Sequence, residues 1–124
     1  MSEISLNFIN ETEVSVKEGD VLETLKLVLR RLNHTDKVNI ELLLVGDTKI
    51  KQLNNKYRSK SEPTDVLSFP SSNEHGPKEE FTGSIVISVD TAKKQAKSAG
   101  IELIEEIKTL SGHGLLHLLG FHHN

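Results

Sequence analysis

Val38–Val45 reads VNIELLLV, a β-type run that starts by alternating and ends almost continuously apolar. Side chains on a strand point alternately to the two faces of its sheet. A run that is apolar at successive positions is therefore expected as a central strand covered on both faces. Gly46-Asp47 breaks it, and Asp47 reads as the cap of a helix over Thr48–Tyr57. Upstream, Val21–Asn33 carries Leu22, Leu25, Leu29 and Leu32 at helical spacing, with Lys26, Arg30 and Arg31 on the wet side. Glu18-Gly19-Asp20 reads as its turn and N-cap. Further back, Ile4–Ile9 alternates Ile4, Leu6 and Phe8 with polar residues, which predicts a half-buried strand.

Downstream, Ser59–Thr64 is polar and reads as a loop. Val66–Phe69 is a short strand ended by Pro70, and Ser71–Glu80 is the best candidate for a mobile exposed loop. Ser84–Val89 (SIVISV) is a strand with Ile85 and Ile87 on one face and Val86 on the other. Asp90 reads as the cap of a Lys-rich helix over Thr91–Ser98 that Gly100 ends. The last helix is expected from about Glu102 to Leu119, stopped by Gly120. The order βαβαββαα predicts an α+β fold. Its mixed sheet has about four strands, spaced too unevenly for a simple doubly wound arrangement.

At 124 residues, 35% hydrophobic and 27% charged, the chain has the size of one domain, taken as residues 1–124. No run of 18 apolar residues suggests a membrane span. The N-terminal MSEISLNFINETE lacks the basic and apolar regions of a signal peptide, so a cytoplasmic location is expected. The net charge of −3 does not suggest a nucleic-acid binder. Its distribution says more: from Thr48 to Ser61 there are five basic residues, Lys49, Lys51, Lys56, Arg58 and Lys60, and no acid. Taken alone, such a run fits a solvated helix face.

There is no Cys and therefore no disulfide, but there are six His, and His113, His117, His122 and His123 crowd the last twelve positions. His113 and His117 are four apart on the expected last helix, so their side chains share a face one turn apart. That is the spacing by which two imidazoles grip one metal ion. A chain turning back after Gly120 brings His122 or His123 to the same ion. Three neutral imidazoles on Zn²⁺ leave a fourth position for water, and Ni²⁺ or Co²⁺ also suit three His. The helix end is Leu-rich, so two imidazoles are expected at a buried position that a metal would make tolerable. Position 114 is Gly, so the glutamate base of the HExxH zinc proteases is absent. Gly114 fits either tight helix packing or close passage of a substrate.

HGLLHLLGFHH resembles the H-G-x-L-H-L-x-G-[YF]-D-H signature of the YbeY-type rRNA maturation factors, which are metal-dependent endoribonucleases. Leu53-Asn54-Asn55-Lys56-Tyr57-Arg58 with Pro63-Thr64-Asp65-Val66-Leu67-Ser68-Phe69-Pro70 is similar to that family's L-N-x-x-Y-R and P-T-D-V-L-S-F-P blocks. Gly83–Ser88 resembles its G-D-I-x-I-S block. The resemblance spans Val38–His123, about two thirds of the chain. It implies a zincin-like metal helix in the α+β fold, and Zn²⁺ on His113, His117 and His123. It also implies single-strand-specific cleavage in small-subunit rRNA maturation and ribosome quality control, with the ribosome or its small subunit as partner. Arg58 is the arginine it associates with activity.

An arginine near the metal suits phosphodiester attack, because it can hold developing charge bidentately. The basic stretch then reads as an RNA-backbone surface through Lys56, Arg58 and Lys60, with Lys49 and Lys51 simply solvated. Thr64, Asp65 and Ser68 are expected to order the turn and strand beside the metal, and Asp65 has a second reading as partner to a ligating His. Two positions depart from the family pattern. His122 stands where the family has Asp, which makes it an alternative ligand or a proton-transfer group, and Ser84 stands at another Asp position. Against the endoribonuclease stand two other readings: a different metal-dependent hydrolase, phosphoesterase or peptidase, and a non-catalytic RNA- or ribosome-binding module with structural zinc.

Overall fold

The structure is a computed structural model that describes residues 3–58, 64–70 and 80–120, without the side chains of Arg58, Glu80 and Phe81. Four strands, β1 (Ile4–Asn10), β2 (Lys37–Val45), β3 (Val66–Pro70) and β4 (Glu80–Ser88), form one sheet in the order β1-β2-β4-β3. The β1–β2 and β2–β4 pairs are parallel, and β3–β4 is antiparallel. Four helices complete the α+β fold: α1 (Glu18–Arg31), α2 (Asp47–Arg58), α3 (Val89–Ala99) and α4 (Leu103–Leu118). None of the described helices is long and apolar enough to cross a membrane.

The expectation for Val38–Val45 holds. β2 lies between β1 and β4, and both its faces are covered. Val38, Ile40, Leu42 and Leu44 join Ile85 and Ile87 of β4 in a main core with Val21, Leu25 and Leu29 of α1 and Ile107, Leu110, Leu115 and Leu118 of α4. On the opposite face Val45, Leu67 and Val86 form a smaller core with Ile50 of α2, flanked by Leu43, Leu53 and Phe69. Helices α1, α3 and α4 thus share one side of the sheet, and α2 occupies the other.

Two strand and helix boundaries differ from expectation. β4 starts at Glu80, not Ser84, because nine residues of β2 pair without interruption with nine of β4. The ladder recruits Phe81, Thr82 and Gly83, whose own sequence carries little strand signal. α1 starts at Glu18, with Lys17 as N-cap, so Glu18 and Asp20 lie within its first turn. Acidic residues there oppose the positive end of the helix dipole. The expected loop over Ser71–Glu80 lies outside the described residues except for Glu80, and of Ser59–Thr64 only Thr64 is described.

The caps of α2 and α3 are exchanged. Ser88, not Asp90, caps α3 by accepting from the Thr91 N–H (3.2 Å). The Asp90 carboxylate instead accepts the Asp47 N–H at the start of α2 (2.8 Å). Asp47 in turn takes hydroxyl protons from Ser88 (2.5 Å) and Thr91 (2.7 Å) at the start of α3. The α2 start is therefore capped by a carboxylate of α3, while the Asp47 carboxylate of α2 holds the two hydroxyls at the α3 start. This is possible because β2 and β4 run parallel as neighbours and deliver both helices at the same sheet edge. The Ser88 hydroxyl holds the Asp47 carboxyl below its ordinary value near 3.8, against an opposing desolvation, with smaller help from Thr91 and Lys94.

A folded-state pKa below the unfolded one adds stability that is present above the unfolded value and lost as pH falls through the folded one. Asp47→Ala is expected to destabilise the protein by about 1–3 kcal/mol at pH 7, because it strands the fully buried Ser88 hydroxyl. Urea unfolding at stepped pH checks this. The gap between wild type and variant should narrow as pH falls below about 3.8 and on through the lower folded value.

Candidate metal-site helix and basic face

α4 is walled on three sides. Ile107, Leu110, Leu115 and Leu118 face the core, while α1 and α3 pack along its flanks. The remaining side is an exposed stripe at four-residue steps: Glu105, Thr109, His113 and His117. The two imidazoles therefore share a face one turn apart, as their spacing predicts. They are exposed, not buried. No burial cost of the two imidazoles therefore calls for a metal. What remains is the shared orientation on a helix that the core holds fixed. Beyond Leu118 the helix closes at Gly120, whose φ of +93° suits glycine and lets the chain turn back. His122 and His123 lie outside the described residues, as does Lys60. Among the described residues no group of three His, Cys, Asp or Glu is placed to hold a metal ion. His113 and His117 are two of the three ligands expected from sequence, one turn apart on one helix face, and imidazole nitrogen is a donor type that zinc accepts.

Gly114 is a packing residue. A Cβ there would lie 2.7 Å from Ile85 Cγ2 and 3.2 Å from Ser68 Oγ. The Ser68 hydroxyl donates to the Gly114 carbonyl (3.2 Å), which ties α4 to β3. One turn on, the relation reverses: Leu118 lies over Gly83 of β4, where a Cβ would meet it at 2.9 Å. The tight-packing reading of Gly114 is the one the structure supports. Gly83, which the sequence marked only as part of a weak block, is its counterpart.

The Asp65 carboxylate accepts from the Val66 N–H (2.8 Å), Thr64 Oγ1 (3.4 Å) and Gln95 Nε2 (3.3 Å). Its backbone carbonyl accepts from the Ser88 N–H (2.9 Å). These bonds set the entry into β3, the ordering role expected of it, and its described partners include no histidine. Ser84 alternates with Gly83 and Ile85, so it faces the α2 side of the sheet, away from His113 and His117. His34 has its Nε2 buried without a hydrogen-bond partner. It lines a cavity of about 920 Å³ with Glu3, Lys26 and Arg30, and none of the described site residues lines that cavity.

The basic stretch is on α2. Ile50, Leu53 and Asn54 turn toward the sheet, while Lys49, Lys51, Lys56 and Tyr57 are exposed. Arg58 is the last residue of α2, and its side chain lies outside the described atoms. α2 and α4 are on opposite faces, but their C-terminal ends reach the same end of the sheet. Tyr57 contacts Phe69 of β3, with ring centroids 4.9 Å apart. Phe69 pairs with Ser84, one rung from the Pro70–Gly83 pair on which Leu118 sits. Arg58 and His117 thus belong to helix ends separated by the edge strand β3.

Comparison with known proteins agrees with this architecture. The family model described as Endoribonuclease YbeY matches residues 5–124. The Endoribonuclease YbeY of Persephonella marina is 44% identical over 111 residues, which cover 88% of this chain and 71% of that protein. That of Nautilia profundicola is 53% identical over 89 residues, covering 72% of this chain and 61% of that one. A solution structure from Thermotoga maritima superposes with a TM-score of 0.60 at 27% identity, over 97% of this chain and 75% of the other.

Gly114→Ala is expected to destabilise the protein by about 1–3 kcal/mol. Overpacking against the fully buried Ile85 outweighs the roughly 1 kcal/mol gain in helix propensity. In an Ile85→Ala background the same change should cost less, a coupling that a double-mutant cycle by chemical denaturation measures. Gly83→Ala should cost less than Gly114→Ala, since it meets the movable end of Leu118.

Proposed function

The chain belongs to the YbeY endoribonuclease family, and we propose that it is a zinc-dependent endoribonuclease that cuts single-stranded RNA. We place its work in small-subunit rRNA maturation and ribosome quality control. The observation that carries this reading is the His113–His117 pair, presented together on the open side of a helix the core locks in place.

On this reading His113, His117 and His123 hold the cation, with Ni²⁺ or Co²⁺ as substitutes. Once bound, zinc supplies a Lewis acid for the phosphodiester and makes a water acidic enough to deprotonate near neutral pH. The chain's own residues do the positioning. The seat of α4 on Ile85 and the Ser68–Gly114 bond keep the two imidazoles from drifting. Arg58 neutralises charge on the non-bridging oxygens as it builds up. Lys56 and Lys60 hold neighbouring phosphates and make affinity fall with salt. His122, next to a proposed ligand, is the candidate for an alternative ligand or for proton transfer.

One observation weighs against the peptidase reading. The space at Gly114 is filled by Ile85 and Ser68, so the position that carries the glutamate base in zinc peptidases has no room for a side chain.

Untagged protein dialysed against a chelator should lose cleavage of a single-stranded RNA and regain it on adding zinc, with metal content read by mass spectrometry. His117→Ala and Arg58→Ala should each lower cleavage roughly 10²-fold or more. The thermal midpoint of His117→Ala should stay near wild type, because His117 is exposed. Full cleavage by His117→Ala would overturn the metal mechanism.

A further inference from the structure

Among the described residues Tyr57 is the most exposed large hydrophobic side chain, at 56% of its surface. It is not a loose side chain. Its ring rests on Phe69, with centroids 4.9 Å apart and planes inclined at 52°. Phe69 is itself packed on the smaller core. The Lys56 ammonium lies over the Tyr57 ring, 5.2 Å from its centroid and within cation–π range, on a flexible four-carbon stem that can swing aside for a base. Both residues fall in the stretch from Thr48 to Ser61 that contains no acid. A fixed aromatic ring beside a cation, in a basic surface, has the two parts that single-stranded nucleic acid uses. One is a face on which a base can stack, and the other is a charge for the adjoining phosphate.

We propose that Tyr57 is a stacking platform for one nucleobase of a single-stranded RNA, with Lys56 pairing the neighbouring phosphate. The proposal rests on the endoribonuclease reading and deepens it by naming where an unpaired base is held. Contact with Phe69 fixes the ring before the base arrives, so little side-chain freedom is lost on binding. The base faces of a duplex are already stacked on one another, so the platform selects unpaired RNA. Stacking does not depend on base identity, so it favours single strands without imposing a sequence.

The chain has one tyrosine and no tryptophan, so its intrinsic fluorescence reports on Tyr57 alone. The test titrates the whole protein with a short single-stranded RNA. It follows tyrosine emission together with the anisotropy of end-labelled RNA, and a gel checks that the RNA stays whole. An abasic ribose-phosphate oligomer of equal length is the control. Quenching by the RNA and not by the abasic oligomer is the expected result. Tyr57→Ala should weaken RNA binding roughly tenfold and leave abasic binding unchanged, while Tyr57→Phe retains it. Lys56→Gln should weaken both and flatten the salt dependence.

RNA binding with undiminished tyrosine emission, or unchanged affinity of Tyr57→Ala, would overturn the platform and leave the endoribonuclease reading standing. Absence of any RNA binding would overturn both. Self-association that Tyr57→Ala abolishes, without quenching by RNA, would assign the ring to a protein interface and overturn the platform.

Discussion

The placing of the two histidines, on which the proposed metal chemistry rests, depends on how α4 is seated on β4. The seat is a reciprocal pair: Ile85 fills the space over Gly114, and Leu118 fills the space over Gly83. The two spacings match. Four residues of helix rise roughly 6 Å and two residues of strand roughly 6.6 Å, so helix and strand stay in step across both contacts. The order is inverted, 114 over 85 and 118 over 83, so α4 runs against β4. A rotation of α4 by one residue would swing its glycine away from Ile85 and drive a leucine into the strand. The placing of His113 and His117 on the exposed side of α4 follows from that register.

The two ends of β4 do different work. At its C-terminal end β2 and β4 send α2 and α3 to opposite faces, which in open α/β sheets is the usual place for a ligand crevice. Here the protein's own groups use that place: Asp47 binds Ser88 and Thr91, and Asp90 binds the Asp47 N–H. The polar groups of both helix starts are spent on each other. At the N-terminal end of β4, where α2 and α4 both finish, the exposed groups are His117, Lys56 and Tyr57. The chemistry-bearing side chains of the described residues gather at the opposite end of the sheet from this mutual capping.

The sequence carried the element order, the central place of β2 and the shared face of His113 and His117, because each depends on a period within one segment. What it missed depends on partners from elsewhere in the chain. The caps at Asp47 and Asp90 have the right residue types for local capping, and only the parallel pairing of β2 with β4 lets them exchange helices. The first residues of β4 are strand because β2 is long enough to pair with them. The two imidazoles look buried from the leucines around them, yet three-sided packing of α4 leaves their stripe open. Gly114 admitted two readings until Ile85 was placed against it. The part assigned to Arg58 comes from motif resemblance, since no periodicity or spacing marks one arginine among five basic residues.

The helix ends that carry His117 and Arg58 are separated by a single edge strand, and this bears on the kind of RNA that could engage both. A substrate held by the α2 face and cut at the α4 stripe has to pass around β3. Pro70 closes β3 at that end without an N–H donor, so the edge does not invite another strand to pair there. A duplex is stiff over lengths far greater than this sheet, and rounding such an edge would require a sharp bend. A single strand turns at each phosphodiester and can lay a base on Tyr57 while its backbone continues toward the histidines. On the proposed function, the preference for unpaired RNA is then a consequence of placing two halves of one site on opposite faces of a thin sheet.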